Sequence, residues 1–150
     1  MTTETLATGF YRRILVAVDL TDDSAQVATR ARAIAAACGA ELSFLHVVDY
    51  RPIEPLGETL LPTVEIEAEL VRRGTERLRG LARDIGLADA PCRVAAGSIK
   101  AEIVGVAREL SADLIVLGSR ERHGLSILVN LTEDTVLHAA PCDVLAVRLK

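Results

Sequence analysis

The hydrophobic residues of this chain alternate between two spacings. In five short segments the apolar residues run almost without interruption, which is typical of strands that are covered on both faces. In four longer segments between them, apolar residues recur every three or four positions, which is typical of helices. The predicted strands are Arg13–Asp19, Glu41–Val48, Pro91–Ala96, Asp113–Gly118 and Asp143–Arg148. Strands and helices are therefore expected to follow each other along the whole chain.

Polar and turn-forming residues mark the ends of the helices. The predicted helices run from the acidic cap Asp22–Ser24 to Gly39, from about Thr63 to Ile85, onward from the cap Ser98, and over Ser126–Ala140. Asp23 is followed three residues later by Gln26, as in a capping box. Three prolines in Arg51–Pro62 predict that this stretch is not a regular helix. Gly74 on the apolar face of the second helix predicts close contact with a strand.

Strand and helix in regular alternation predict a single doubly wound α/β domain. We expect a five-stranded parallel sheet of order 3-2-1-4-5 with helices on both faces, over residues 11–150, after a flexible N-terminal tail over residues 1–10. Ligands of such sheets bind beyond the carboxyl ends of the strands, where the strand order reverses. That position lies between the first and fourth strands here, so Asp19 and Gly118 are predicted to share one pocket.

The composition excludes several classes of protein. Half of the 150 residues are apolar and a quarter are charged, which is typical of a globular rather than a disordered chain. The formal net charge is −4, and the chain has no Trp, two Tyr and two Phe. It therefore lacks the positive charge that attracts nucleic acids or anionic membranes and the aromatic rings that stack on bases. We expect neither a nucleic-acid nor a membrane partner.

Cysteine usage and the N-terminal residues favour the cytoplasm. Cys38, Cys92 and Cys142 are an odd number of widely spaced cysteines, which favours reduced thiols over a disulfide framework or a zinc site. The three histidines show no metal-ligand spacing. No apolar run approaches the roughly 20 residues of a membrane-spanning helix. The first ten residues lack the apolar stretch of a signal peptide, so we expect a cytoplasmic protein.

Three segments of the chain resemble the universal stress protein family. ILVAVDLTDDS resembles the opening strand of that family with its Asp-containing turn, and LHVVD resembles its second strand. VLGSRERHGLSILVNLTEDTVLHAAPCDVLAVR resembles the closing block of strand four, glycine loop, helix four and last strand. The resemblance covers nearly all of residues 11–150. It implies the same fold, and it suggests the A-type subclass, whose naming member resembles the ATP binders without binding ATP.

The chain departs from the ATP-binding pattern of the family. That pattern is Gly-x-x-Gly after strand four, a spacer of roughly nine residues and then Gly-Ser or Gly-Thr, because backbone amides and a hydroxyl hold the phosphates. Gly118 matches the first glycine, but Glu121 stands at the second, and Asn130 and Leu131 stand at the Gly-Ser pair. A carboxylate facing the triphosphate would weaken binding by about ten- to a thousand-fold. Neighbouring basic residues could offset this repulsion, and Glu121 could instead hold Mg²⁺ or point outward.

The resemblance also supplies candidate nucleotide contacts, none of them catalytic. Ala17, Asp19 and Val47 match positions that line the base and ribose in nucleotide-binding relatives. Ordinary strand packing is the alternative role of Ala17 and Val47, and hydrogen bonds from the turn between Thr21 and Ser24 are the alternative role of Asp19. The candidate set is Ala17, Asp19, Val47, Gly118, Ser119, Arg120 and Asn130.

The last strand supplies the candidate interface. Its segment VLAV places apolar side chains on both faces of a predicted edge strand, and an uncovered edge favours pairing with another chain. In the universal stress protein family this strand and its surroundings commonly make the dimer contact. We therefore expect a homodimer that buries Val144, Leu145, Ala146 and Val147.

Three hypotheses for the function follow from the sequence. The first is a stress-response protein that acts as a homodimer through contacts with an unknown protein partner, without strong ATP binding and without a cofactor. The second is a module that binds an adenine nucleotide, such as ATP with Mg²⁺, with at most slow hydrolysis. The third is an enzyme such as a flavoprotein or nucleotidyl transferase. It has the least support, because the chain shows no catalytic Ser/His/Asp order, no HxGH signature and no paired metal carboxylates.

Overall fold

The computed structural model describes residues 9–50, 61–120 and 136–149, in which strands and helices alternate. The elements are β1 (Arg13–Ala17), α1 (Ser24–Cys38), β2 (Glu41–Val48), α2 (Leu61–Asp84), β3 (Cys92–Ala96), α3 (Ile99–Glu109), β4 (Leu114–Arg120) and β5 (Asp143–Leu149). Residues 136–139, shortly before β5, are also helical. All five predicted strands are present, and their bounds differ from the prediction by at most two residues.

The strands form one sheet in the predicted order, β3-β2-β1-β4-β5, and every neighbouring pair is parallel. The apolar runs of the central strands are covered on both sides. Leu15 and Val16 in β1, and Ile115 and Val116 in β4, are completely buried although successive side chains point to opposite faces. The alternation in the sequence therefore gives the predicted doubly wound α/β domain.

Helices cover both faces of this sheet. α1 and α2 pack on one face, and α1 lies close to the strands because its inward side chains are small, with Ala28 and Ala31 fully buried. On the other face Ile103 and Ala107 of α3 pack in a second core together with Val136. Of the fourth predicted helix, Ser126–Ala140, residues 126–135 lie outside the described part of the chain.

The start of α2 corrects one expectation. The helix begins at Leu61, so Pro62 lies in its first turn, whereas the proline-containing stretch Arg51–Pro62 was predicted to exclude regular helix. Proline fits a first turn because the amides there have no partner within the helix. The remainder of that stretch, residues 51–60, lies outside the described residues.

Two glycine predictions are confirmed. Gly39 ends α1 in the left-handed conformation, with φ of 64°. A residue without a Cβ adopts this conformation at little cost in free energy. Gly74 lies where a Cβ would come within 3.3 Å of both His46 Cδ2 and Val94 Cγ1. This glycine therefore lets α2 lie directly on β2 and β3 where His46 and Val94 pair.

Candidate functional site

The carboxyl ends of β1 and β4 lie side by side, as the strand order predicts. We call residues 19–23 and residues 118–120 together the β1–β4 site. A hydrogen bond across the site shows how close the two segments are, because Arg120 Nη2 donates to Thr21 Oγ1 over 2.7 Å. The structure therefore brings Asp19, Gly118, Ser119 and Arg120 into one neighbourhood.

Asp19 is the centre of the turn that follows β1. Its Oδ1 atom accepts hydrogen bonds from the Thr21 amide at 3.1 Å, the Thr21 hydroxyl at 2.7 Å and the Ser24 hydroxyl at 3.1 Å. Partial burial acts to raise the pKa of the carboxyl, but these hydrogen bonds and the nearby Arg120 charge outweigh it, so the pKa is lowered. Asp19 thus has the structural role that was left open in the sequence, and Oδ2 takes no part in these three bonds.

The backbone of the same turn is held from several sides. Leu20 has a φ of 59°, which is unusual for a branched side chain, and it is buried. The Arg77 guanidinium of α2 donates to the Leu20 carbonyl. His46 Nδ1 lies 2.8 Å from the Val18 carbonyl oxygen. An unusual backbone conformation such as that of Leu20 persists where surrounding contacts hold it in place, so this turn is a fixed part of the site.

Arg120, the last residue of β4, brings a guanidinium to the site and pairs with an acid. Its Nη2 atom lies 2.6 Å from Asp23 Oδ2, and the two side chains are 41% and 36% exposed. Asp23 is the N-cap residue of α1, as predicted, but its side chain makes no capping hydrogen bond. The predicted capping box is therefore wrong, because the Asp23 carboxylate pairs with Arg120 and the Gln26 amide donates to the Arg148 carbonyl at 3.5 Å.

Gly118 has a packing role that is independent of any ligand. A Cβ at this position would lie 2.8 Å from Leu149 Cδ1 and 3.1 Å from Val27 Cγ2. The missing side chain therefore lets α1 and β5 pack closely on the end of β4. The match of Gly118 to the first glycine of the ATP-binding pattern is explained by this packing alone, and it is not by itself evidence of a phosphate site.

Two of the three predicted base and ribose contacts, Ala17 and Val47, lie on one face of the sheet. Ala17 and Val47 are half-buried at the ends of β1 and β2 and pack against the core that α3 covers. This is the strand packing expected as their alternative role, and their partial exposure leaves a ligand contact open. Ser119 is half-buried near the end of β4. Asn130 and Glu121 lie outside the described residues.

The predicted interface residues differ in how much of their surface is exposed to a partner. Leu145 is 36% exposed and Ala146 is also exposed, whereas Val144 is half-buried against the core on the α3 side. Val147 is only 3% exposed within the single chain. Its inclusion in the interface prediction does not fit the structure, because a partner could bury almost none of it.

The sequence reasoning missed Asp23 and Thr21 as partners of Arg120. They are separated from it by about a hundred positions, and only the sheet topology brings them together. The available signal was the opposite charge of the residues that follow β1 and end β4, which the predicted strand order places next to each other.

Other chemistry is sparse in the described residues. Within those ranges no three His, Cys, Asp or Glu side chains gather in a way that could hold a metal ion. Burial raises the pKa of the Cys92 and Cys142 thiols, with nearby carboxylates contributing at Cys142, so neither is an activated nucleophile. No described helix is both long and apolar enough to cross a bilayer. A cavity of 740 Å³ lies at the amino ends of β2 and β3, away from the β1–β4 site.

Known proteins resemble this chain over nearly its full length. Universal stress protein A homolog 1 of Coxiella burnetii is 33% identical over 93% of this chain and 98% of its own length. The structure of universal stress protein UspA from Lactobacillus plantarum matches with a TM-score of 0.71 and 26% identity, over 92% of this chain and 98% of that one. A universal stress protein solved in complex with cAMP matches with a TM-score of 0.65 and 25% identity, over 91% and 97% of the two chains.

The match to a family model agrees with these similarities and with the sheet order. The model of the universal stress protein family matches residues 10–148, which include every described strand except the last residue of β5. This chain therefore belongs to the universal stress protein family.

Proposed function

We propose that this chain is a stress-response protein that works as a homodimer through protein contacts and does not bind ATP tightly. The observation that carries the second part is the ion pair at the β1–β4 site, where Asp23 already holds Arg120 at 2.6 Å. Asp19 and Asp22 are further acids of the same turn. Residues 19–23 and 118–120 therefore carry three carboxylates and one guanidinium, and with Arg77, which donates to the Leu20 carbonyl, the described acids still outnumber the described cations, which disfavours a polyphosphate.

The size of this effect follows from Coulomb's law. Two unit charges about 4 Å apart interact by about 1 kcal/mol in water and about 4 kcal/mol at an effective dielectric near 20. Arg120 and Asp23 are each more than one third exposed, which places their interaction toward the lower value. A phosphate must compete with Asp23 for Arg120 and approach the other carboxylates, so a loss of about tenfold or more in affinity is expected.

The homodimer is supported by the contrast between the two edges of the sheet. At the β3 edge, Arg93 and Glu109 form two hydrogen bonds of 2.7 and 2.9 Å, and charged groups at an edge disfavour pairing. At the β5 edge, Leu145 and Ala146 are exposed apolar residues in the middle of the strand, while the exposed charged residues Asp143 and Arg148 lie toward its two ends. The apolar middle of β5 is the part that a second copy is expected to cover.

The dimer is tested by light scattering after size-exclusion chromatography. The wild-type chain is expected to be a dimer at micromolar concentration and Leu145→Lys a monomer, because the substitution places a charge in the contact. Leu70→Lys is the matched control, since Leu70 on α2 is 37% exposed against 36% for Leu145. A wild-type monomer, or dissociation by Leu70→Lys alone, would contradict the proposed contact.

A second candidate function is the binding of an adenine nucleotide, with Mg²⁺ where ATP is the ligand. Two observations favour it. Among the described residues, the hydrogen bonds to Asp19 all end on Oδ1, which leaves Oδ2 as an acceptor that a ribose hydroxyl could use. A structurally similar universal stress protein was solved in complex with cAMP.

This second candidate is tested by thermal unfolding with and without ligand. If it is right, ATP with Mg²⁺ raises the melting temperature and Asp19→Ala abolishes the rise, since a ligand that binds the folded chain stabilises it. No shift at millimolar ATP would rule it out. Asp22→Ala is the control, because Asp22 lies in the same turn and makes none of the hydrogen bonds described at Asp19.

A further inference from the structure

The turn that follows β1 has a backbone conformation that a branched residue does not favour. Leu20 has a φ of 59°, in the left-handed region, and it is only 8% exposed. Its side chain belongs to the core that α1 and α2 cover. A conformation of this kind persists where neighbouring contacts hold it. The contacts that hold this turn therefore decide where the Asp19 carboxylate lies.

Side chains of two other elements hold the carbonyls on either side of Asp19. Nδ1 of His46 in β2 lies 2.8 Å from the Val18 carbonyl oxygen, and because a carbonyl can only accept, Nδ1 carries the hydrogen. Arg77 in α2 donates from Nη2 to the Leu20 carbonyl. The backbone that carries Asp19 is thus bonded to β2 on one side and to α2 on the other.

Gly74 explains how α2 comes close enough for this contact. A Cβ at residue 74 would lie 3.3 Å from His46 Cδ2, so the missing side chain lets this part of α2 approach β2. Residues three positions apart are neighbours on a helix surface, so Arg77 lies beside the point of closest approach. Its hydrogen bond to Leu20 therefore depends on the position of the whole helix on the sheet.

We propose that Arg77 is a positioning residue of the β1–β4 site: from α2 it holds the Asp19 turn in the conformation in which Thr21 and Ser24 donate to the carboxylate. It acts through the backbone of Leu20. The inference goes beyond the proposed function, because it is the same whether a protein partner or a nucleotide meets the turn. Either one meets a carboxylate whose orientation is set by a helix outside residues 19–23 and 118–120.

The first measurement is an NMR titration of the Asp19 carboxyl group in the wild-type chain, Arg77→Met and Arg79→Met. Partial burial acts to raise the pKa of Asp19, but the hydrogen bonds of the turn hold it below the ordinary value of 3.8, so a loosened turn raises it. Arg77→Met is therefore expected to raise this pKa. Arg79→Met removes the same charge from the same helix but none of the hydrogen bonds described at the turn, so no change is expected. The titration is run at about 1 M salt, where the Debye length is about 3 Å and the lost charge alone has little effect.

The second measurement is hydrogen exchange at the amides of Thr21 and Ser24, which donate to Asp19 Oδ1 and to the Thr21 carbonyl. In Arg77→Met these amides are expected to exchange about tenfold faster, relative to the amides of β4, because a hydrogen bond that fixes the turn is lost. Arg77→Lys is expected to restore part of the protection, since an ammonium group can also donate to a carbonyl. Arg79→Met should exchange like the wild-type chain.

The two measurements together separate a positioning role from a purely structural one. Faster exchange confined to the turn, with a raised pKa of Asp19, would support the proposal. An unchanged pKa of Asp19 in Arg77→Met, equal effects of Arg77→Met and Arg79→Met, or an acceleration shared by the turn and β4 would overturn it. Arg77 is an exposed residue, so the variant is expected to fold. If it does not, Arg77→Lys serves in its place, with a smaller change in the same direction as the expected result and no change as the contrary one.

Discussion

A single carboxylate organises the turn at which the first strand ends. Asp19 gathers three hydrogen bonds on one oxygen atom, and these bonds hold its pKa below the ordinary value although burial acts in the opposite direction. A group whose pKa is lowered by folding stabilises the folded state in its charged form. The same residue can therefore be essential to the turn whether or not a ribose ever contacts it.

The pH dependence of Asp19→Asn tests this role. At neutral pH the variant is expected to lower the free energy of unfolding by about 1 kcal/mol or less, since the group is largely open to solvent. The stabilisation is present above the ordinary pKa of 3.8 and is lost as the pH falls through the lower folded-state value. Urea unfolding of both proteins should therefore give curves that converge in acid, and a difference that persists there would contradict the assignment. Asp22→Asn is the control.

The different surroundings of Gly118 and Gly105 predict opposite effects when each is replaced by alanine. Gly118→Ala is expected to lower the free energy of unfolding by about 1 kcal/mol, because the new methyl group meets Leu149 and Val27. Gly105→Ala, on the exposed side of α3 where no atom of the described residues lies near the new methyl group, is expected to raise it by up to about 1 kcal/mol. Chemical denaturation measures both. A neutral or stabilising Gly118→Ala would show that the glycine is not required by packing.

At the scale of elements, one carboxylate joins the beginnings of β1 and β4. Asp113 accepts hydrogen bonds from the Arg12 amide at 2.8 Å and the Arg13 amide at 3.1 Å, just before β4 starts. The Asp113 amide also donates to the Arg13 carbonyl at 2.9 Å. These bonds fix the register of the two strands whose opposite ends form the β1–β4 site.

Removal of this carboxylate is expected to weaken the whole sheet. Asp113→Ala should lower the free energy of unfolding by about 1–3 kcal/mol, because two amides lose a charged acceptor. Asp89→Ala is the control, since Asp89 is an exposed acid shortly before β3. Equal effects of the two substitutions in urea unfolding would contradict the role of Asp113.

The elements were more predictable than the contacts between them. Uninterrupted apolar runs predict the five strands, because both faces of a parallel sheet are buried, and their alternation with helices predicts a doubly wound parallel sheet, for which 3-2-1-4-5 is the order that we expect. The order in turn predicts that Asp19 and Gly118 are neighbours. The sequence does not reveal which of Asp19, Asp22 and Asp23 pairs with Arg120, because that choice depends on side-chain geometry within the turn. The sequence also does not distinguish a glycine that packing requires from one that phosphate binding requires.

At the scale of the whole molecule, the candidate interface and the β1–β4 site are close together. β5 pairs with β4 along its whole length, from Leu114 opposite Asp143 to Arg120 opposite Leu149. The strand that would make the dimer therefore ends beside the residue that holds the ion pair. A dimer formed through β5 would place both copies of the site near the contact. The charged side chains of each site would then be available to a protein partner of the dimer.

The most direct test of the account is calorimetric titration of ATP with Mg²⁺ into the wild-type protein. The Asp23–Arg120 pair and the excess of carboxylates at the β1–β4 site predict weak binding, with no saturation below millimolar ATP. A dissociation constant in the micromolar range would contradict the account and favour the nucleotide-binding function.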